Sequence, residues 1–125
     1  MRIRGKVVAT LGAAALAGLA TVATATPASA DLADCDSGAL CAWTQDDYQG
    51  VRGQVFGDNH NLLQYYAFDN AESVFNNGNN CNVRIWNRIN ETGNYMTLGR
   101  GASYYDLDAR SDGMADSLAS NDWCV

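Results

Sequence analysis

Two eight-residue stretches constrain the fold more than anything else in the chain. Trp43-Thr-Gln-Asp-Asp-Tyr48-Gln-Gly50 sets an aromatic, four polar residues, a second aromatic, a spacer and a glycine in a row, and Trp86 to Gly93 repeats that length 43 residues later. Two aromatics around a polar, acidic turn, followed by a residue free to take a positive φ, suit a β-hairpin folded back over its own sheet. Further echoes follow in the same order. Ala71–Asn77 matches Ala115–Asn121 at a spacing of 44, and Tyr65-Tyr66 matches Tyr104-Tyr105 at a shorter one, which puts an insertion of a few residues around Asp108–Gly113. The repeat predicts an internal duplication: two similar β units sharing one core.

The first thirty residues stand apart. Arg2, Arg4 and Lys6 precede an Ala/Leu/Val-rich run, and Ala28-Ser29-Ala30 offers small residues for cleavage, the signature of a secretory signal peptide cut after Ala30. Small residues, threonine interruptions and Pro27 argue against a membrane anchor. The secreted, extracellular domain is then 31–125, too small to be more than marginally stable without help. Cys35, Cys41, Cys81 and Cys124 all lie in it, and an even number in a short exported chain implies two disulfides with three pairings. The favoured pairs are Cys35 with Cys41, stapling a short loop, and Cys81 with Cys124, tying the second half to the chain end. The other pairings stay open to peptide mapping. Without the leader the chain has five Arg, no Lys and 14 Asp and Glu, a formal −9. Such a surface repels nucleic-acid phosphates and anionic lipid heads, so neither is an expected partner, and a monomer is expected.

Leu40–Trp43, Val51–Phe56, Val83–Trp86, Tyr95–Leu98 and Asn121–Val125 read as short strands, separated by Gly- and Asn-rich turns. Leu62–Phe68 is too short for periodicity to choose between strand and helical turn. Asn76–Asn82 is a polar link between the halves. No segment carries a sustained helical stripe, and the single proline lies in the leader. The fold class is all-β: a disulfide-stapled sandwich of two Greek-key units, the first about 40–78 and the second about 81–125.

These residues resemble the βγ-crystallin Greek key. Trp43, Tyr48 and Gly50 fit its aromatic-x4-aromatic-x-Gly signature, Trp86 and Gly93 repeat its ends, and Ser73 and Ser117 stand where that fold sets a serine pinning each hairpin to its sheet. The exported size, the four cysteines, the Cys41-Ala-Trp43 start and the Asn-Asn-Gly link to Cys81 more closely resemble the small secreted actinobacterial proteins grouped with the Streptomyces metalloproteinase inhibitor. The second unit departs from the pattern: Glu91 replaces the second aromatic, leaving Tyr95 as the nearest ring to substitute.

The resemblance implies an inhibitor rather than an enzyme, with an extracellular peptidase of the thermolysin kind as partner. Its cleft would be blocked by a rigid loop, for which the candidates are Asn80, Cys81, Asn82 and Val83, with Val83 entering the apolar pocket beyond the scissile bond. An alternative is a non-inhibitory βγ-crystallin module with a calcium, stress or antagonism role. The fold's calcium motif would lie at 68–73 and 112–117, giving Asp69, Glu72, Asp112 and Asp116 as oxygen ligands; each window departs from the motif, and turn capping is the favoured reading. No other cofactor is implied. Catalysis has the least support: His60 is the single histidine, the cysteines are better used in bridges, and no carboxylate pair is placed across a cleft.

Overall fold

The computed structural model describes residues 32–125; the leader expected at residues 1–30, with its cleavage point, lies outside the described residues. Alternation decides the strands. β1 (Leu40–Gln45) turns Leu40 and Ala42 into the main core and Cys41 and Trp43 to the opposite face. β2 (Gln49–Val55) returns beside it, and β3 (Ser73–Asn76) completes the first unit's strands. β4 (Val83–Arg88), β5 (Thr92–Leu98), β6 (Ser103–Tyr104) and β7 (Ser120–Trp123) follow. Leu62–Phe68 forms no strand: a 3-10 turn at Leu62–Gln64, capped by the Asn61 side chain on the Leu63 amide at 3.0 Å, leads into α1 (Tyr66–Asp69).

The strands make two antiparallel sheets, ordered β2-β1-β3-β6 and β5-β4-β7. β6 belongs to the second half of the chain yet pairs with β3, Val74 opposite Tyr104, while Asn59 of the first half bridges Asn121 on β7. The halves thus exchange segments, as Greek keys do. Between the sheets lie Leu40, Leu62, Phe68, Val74, Val83, Ile85, Leu107, Met114 and Leu118, all fully buried. Each large apolar side chain removed from water in this way contributes about 1.5–3 kcal/mol.

The hairpins owe their shape to backbone that few residues adopt. Asp47 and Tyr48 have φ of 56° and 60°, Asn90 and Glu91 have 59° and 54°, and Gly50 and Gly93 follow at 84° and 85°. A Cβ at Gly50 would collide with Thr44 Oγ1, and one at Gly93 with Asn87 Oδ1, so these glycines serve both conformation and space. Two serines hold the turns down. Ser73 Oγ donates to the Gln45 carbonyl at 2.8 Å and accepts the Tyr48 amide at 3.1 Å; Ser120 Oγ donates to the Arg88 carbonyl at 2.7 Å and accepts the Glu91 amide at 2.9 Å.

The second pinning serine is therefore Ser120, a correction to the expectation for Ser117, whose hydroxyl instead donates to the Asn87 carbonyl at 2.8 Å. The reason is a drifting repeat. Its spacing is 43 at the hairpins, 45 at the turns Leu62–Gln64 and Leu107–Ala109, and 47 at the serines, so extra residues enter in two places and not only near Asp108–Gly113. Nor are the tyrosine pairs equivalent: Tyr65-Tyr66 opens α1, whereas Tyr104 lies in β6. Trp43 and Tyr48 meet edge-on with centroids 5.3 Å apart, and Tyr95, directly opposite Trp86 in register, supplies at 4.8 Å the ring that Glu91 cannot.

Candidate functional site

The link between the halves is built as a rigid loop. It starts at Asn76, whose side chain is fully buried at the end of β3. Its Nδ2 donates to the carbonyls of Leu98 at 2.9 Å and Cys81 at 3.2 Å, and its Oδ1 accepts the Gly78 amide at 2.7 Å, so one amide satisfies three backbone groups of the turn. From outside, the segment around Cys35–Ala39 braces the same loop. Asn77 Nδ2 donates to the Cys35 carbonyl at 2.8 Å, the Asn77 carbonyl accepts the Gly38 amide at 2.7 Å, and Ser37 Oγ donates to Asn79 Oδ1 at 2.9 Å.

Both disulfides converge here. Cys35–Cys41 fixes the bracing segment to β1, and Cys81–Cys124 fixes the far end of the loop, where the Cys124 amide also donates to the Asn82 carbonyl at 2.8 Å. By loop entropy the bridges contribute about 2 and 4 kcal/mol respectively, the longer closure giving more. Asn79, Asn80 and Asn82 remain exposed. Beside them a cavity of 310 Å³ opens between the loop and Gly38, Gly57, Asp58 and Trp123. Trp123 is locked as its wall, its indole N–H donating to the Gly57 carbonyl at 3.0 Å and its amide to Asp58 Oδ1 at 2.8 Å.

Val83 does not belong to this surface. It is the first residue of β4, fully buried in the core among Leu40, Ile85 and Leu98. The expectation that Val83 enters a peptidase pocket is therefore corrected: strand alternation points it inward, and presenting it would open the sandwich. The exposed part of the loop is Asn79, Asn80 and Asn82, with the carbonyls of Cys81 and Asn82 held by donors from the body.

A second cluster lies where the first hairpin meets the loop after β6. Carboxylate oxygens of Asp46, Glu72, Asp106 and Asp108 lie within 4.8 Å of one another. The Asp47 amide donates to the Tyr105 carbonyl at 2.9 Å and the Leu107 amide to the Glu72 carbonyl at 2.8 Å, which brings the elements together. Glu72 Oε1 is shielded from water and receives no hydrogen bond among the described residues. Burial first, then the neighbouring carboxyls of Asp108 and Asp116, pushes Glu72 up to about 8. Asp46 is also raised, by desolvation and then by the charges of Asp106 and Asp108.

Of the four expected calcium ligands, only Glu72 sits in this cluster, with Asp116 beside it. Asp112 is instead taken by Arg110, whose Nε donates to Asp112 Oδ2 at 2.8 Å; that hydrogen bond holds the carboxyl below its usual range. Asp69 is exposed at the end of α1, outside the cluster. Asp46, Asp106 and Asp108 were missed because a motif window follows one segment, while the cluster draws on three. The Asp-Asp turn inside the hairpin and the spacing Asp106-x-Asp108 were the available signals. The donor set suits Ca²⁺: hard oxygens, and a span matching ion–oxygen distances of about 2.3–2.6 Å on either side of an ion. His60 is a surface residue, its side chain 74% exposed and its Nδ1 2.9 Å from Glu91.

The model of peptidase inhibitor family I36 matches residues 28–98, more than half of the chain. Comparison with curated proteins gives no match. Among solved structures, one described under the evolution of the eye-lens βγ-crystallin domain fold superposes with a TM-score of 0.61 at 20% identity, covering 83% of this chain and 94% of its own. A βγ-crystallin from Ciona intestinalis gives 0.58 at 15% identity over 70% and 100%, and spherulin 3a from Physarum polycephalum 0.55 at 20% over 83% and 91%. At these identities the likeness is one of fold: the two-sheet, two-Greek-key sandwich is a βγ-crystallin fold. Among the described residues no helix is long and apolar enough to cross a membrane.

Proposed function

The chain belongs to peptidase inhibitor family I36, and from that premise we propose that it is a secreted inhibitor that blocks the cleft of a thermolysin-like metallopeptidase with the loop Asn79–Asn82. The observation that carries this reading is the convergence of both disulfides and the buried Asn76 on one exposed segment. A substrate loses conformational freedom when it enters a cleft, at about 0.5–1.5 kcal/mol for each side chain immobilised. A loop already fixed avoids much of that loss. Its amide side chains carry no charge, and the held carbonyls of Cys81 and Asn82 resist the displacement that hydrolysis requires.

Resemblance to the group of the Streptomyces metalloproteinase inhibitor supports a metallopeptidase as target. The test is thermolysin activity on a peptide substrate, titrated with oxidised protein beginning at Asp31, with and without reductant. Stoichiometric inhibition that vanishes on reduction, and that Asn80→Asp or Asn82→Asp weakens without moving the melting temperature, is the expected result. Undiminished inhibition by both loop variants removes the loop from the reading. Absence of inhibition of thermolysin, with a serine and a cysteine peptidase run alongside, removes the target class.

A second reading, a calcium-stabilised module of the βγ-crystallin kind, is supported by the carboxylates gathered around Glu72. Asp46, Glu72, Asp106 and Asp108 would hold the ion, which would act structurally by neutralising like charges between the two units. The two readings are compatible, since the ion site and the loop use different residues.

A further inference from the structure

The two sheets carry the same register on their outer faces, but they are treated differently. On the first, Cys41 and Trp43 of β1 stand between Gln54 and Arg52 of β2 and Phe75 and Ser73 of β3. Residues 32–39 lie across this face as a strap. Cys35 is bridged to Cys41, and Leu32 packs against the cluster that holds Trp43. The Arg52 guanidinium donates to the Asp34 carbonyl, Gln54 Nε2 donates to the Asp36 carboxylate at 2.7 Å, and Gln54 Oε1 accepts the Asp36 amide at 3.1 Å. Under the strap Trp43 is 1% exposed.

On the second sheet the corresponding positions are Arg84 and Trp86 of β4, between Thr97 and Tyr95 of β5 and Asp122 and Ser120 of β7. Tyr95 is 49% exposed. The Arg84 guanidinium lies over the Tyr95 ring at 4.3 Å and over the Trp86 ring at 5.9 Å, a cation resting on two aromatic faces. Arg84 Nε and Trp86 Nε1 are shielded from water, and neither finds an acceptor among the described residues. Buried donors are ordinarily paired, so two unpaired ones side by side mark a face missing its partner.

We propose that this face docks an extended peptide segment of a partner protein, one that sets an apolar side chain beside hydrogen-bond acceptors, as the chain's own strap does on the first sheet. Three features select that occupant. The unmet groups are donors only, so the ligand must bring acceptors, and with Asp122 already opposite Arg84 the backbone carbonyls of a peptide suit them better than added carboxylates. The rings of Trp86 and Tyr95 offer flat apolar area with polar tips, the surface on which peptide side chains and backbone settle together. And the equivalent face of the same molecule is already occupied by a peptide, with an arginine donating to its carbonyl. On docking, the Arg84 side chain slides off the rings toward the ligand and the Trp86 indole N–H gains an acceptor. None of this depends on the inhibitor reading.

The three tryptophans make the test internally controlled. The probe is the acetylated, amidated peptide Leu-Ala-Asp-Ser-Asp, copied from residues 32–36 with serine for Cys35, titrated to millimolar concentration into the ¹⁵N-labelled protein. The expected result is a saturable downfield movement of the Trp86 indole N–H, with those of Trp43, under the strap, and Trp123, bonded to Gly57, unmoved. Arg84→Gln weakens binding about tenfold to a hundredfold, the loss of one charge-assisted hydrogen bond. Tyr95→Ala, at an exposed position that leaves the core intact, weakens it as well, and unchanged Trp43 and Trp123 signals report that each variant is folded. A static Trp86 signal overturns the proposal, as does equal binding by Arg84→Gln. A Trp86 shift that grows with protein concentration in the absence of peptide also overturns it, because a second copy then covers the face.

Discussion

Replacing Asn76 with alanine is expected to cost far more than its small polar side chain suggests. The side chain is fully buried and makes three hydrogen bonds, donating to Leu98 and Cys81 and accepting from Gly78. A neutral hydrogen bond contributes about 0.5–1.5 kcal/mol net, and each backbone partner left buried and unpaired adds its own desolvation, so a total of about 3 kcal/mol follows. In a domain of this length that corresponds to a fall of about 12–24 °C in melting temperature. Urea denaturation followed by tryptophan fluorescence, with the slope unchanged between variants, gives the free-energy difference directly. Hydrogen exchange adds a local readout, because the Gly78 amide should lose its protection first. Inhibition should weaken as well, although Asn76 is not exposed to touch a peptidase. A stability loss under about 1 kcal/mol, or a Gly78 amide still protected, refutes the claim that one side chain organises the loop.

Ser73→Ala and Ser120→Ala should each destabilise the domain by about 2 kcal/mol, since each hydroxyl makes two bonds across a folded hairpin, while Ser117→Ala, with one, should cost about 1 kcal/mol or less by denaturation. Val83→Asp should leave the chain unfolded by circular dichroism, because it sets a carboxylate in the core at a cost beyond about 4 kcal/mol. Glu72 has a folded-state pKa raised from about 4.5 to about 8, so the folded state binds the extra proton and stability declines as pH rises through that window; Glu72→Gln should flatten the decline in melting temperature between pH 5 and 8. At pH 7.5 calcium should raise the melting temperature of the parent protein and not of Glu72→Gln, and a calorimetric titration without heat would dispose of the ion site.

The fold was legible because its signals are local. The hairpin spacing from Trp43 to Gly50 and its repeat at Trp86 are dictated by one turn of backbone, and the strand pattern at Val83–Trp86 by side-chain alternation. Long-range register was less legible. The repeat points to Ser117 rather than to Ser120 because matching letters at a fixed spacing ignores where extra residues enter, and in this fold the turn Leu107–Ala109 sets the frame after the hairpin. The site was legible in place more than in composition. The polar link could be recognised from its lack of an apolar face, but that alternation buries Val83 depends on where β4 starts, which is a tertiary fact. The carboxylates around Glu72 join three distant segments, and no window along the chain displays them together.

The exchange of segments between the sheets has a consequence for a protein that works among peptidases. Were the backbone nicked between Asn79 and Asn82, the two fragments would still be clasped: β6 remains zipped to β3 and Asn59 to Asn121, and for a cut between Cys81 and Asn82 the Cys81–Cys124 bridge joins them covalently as well. The new ends could not diffuse apart, so a severed peptide bond would stay in place beside its own leaving group. A peptidase that cut this chain would not be rid of it.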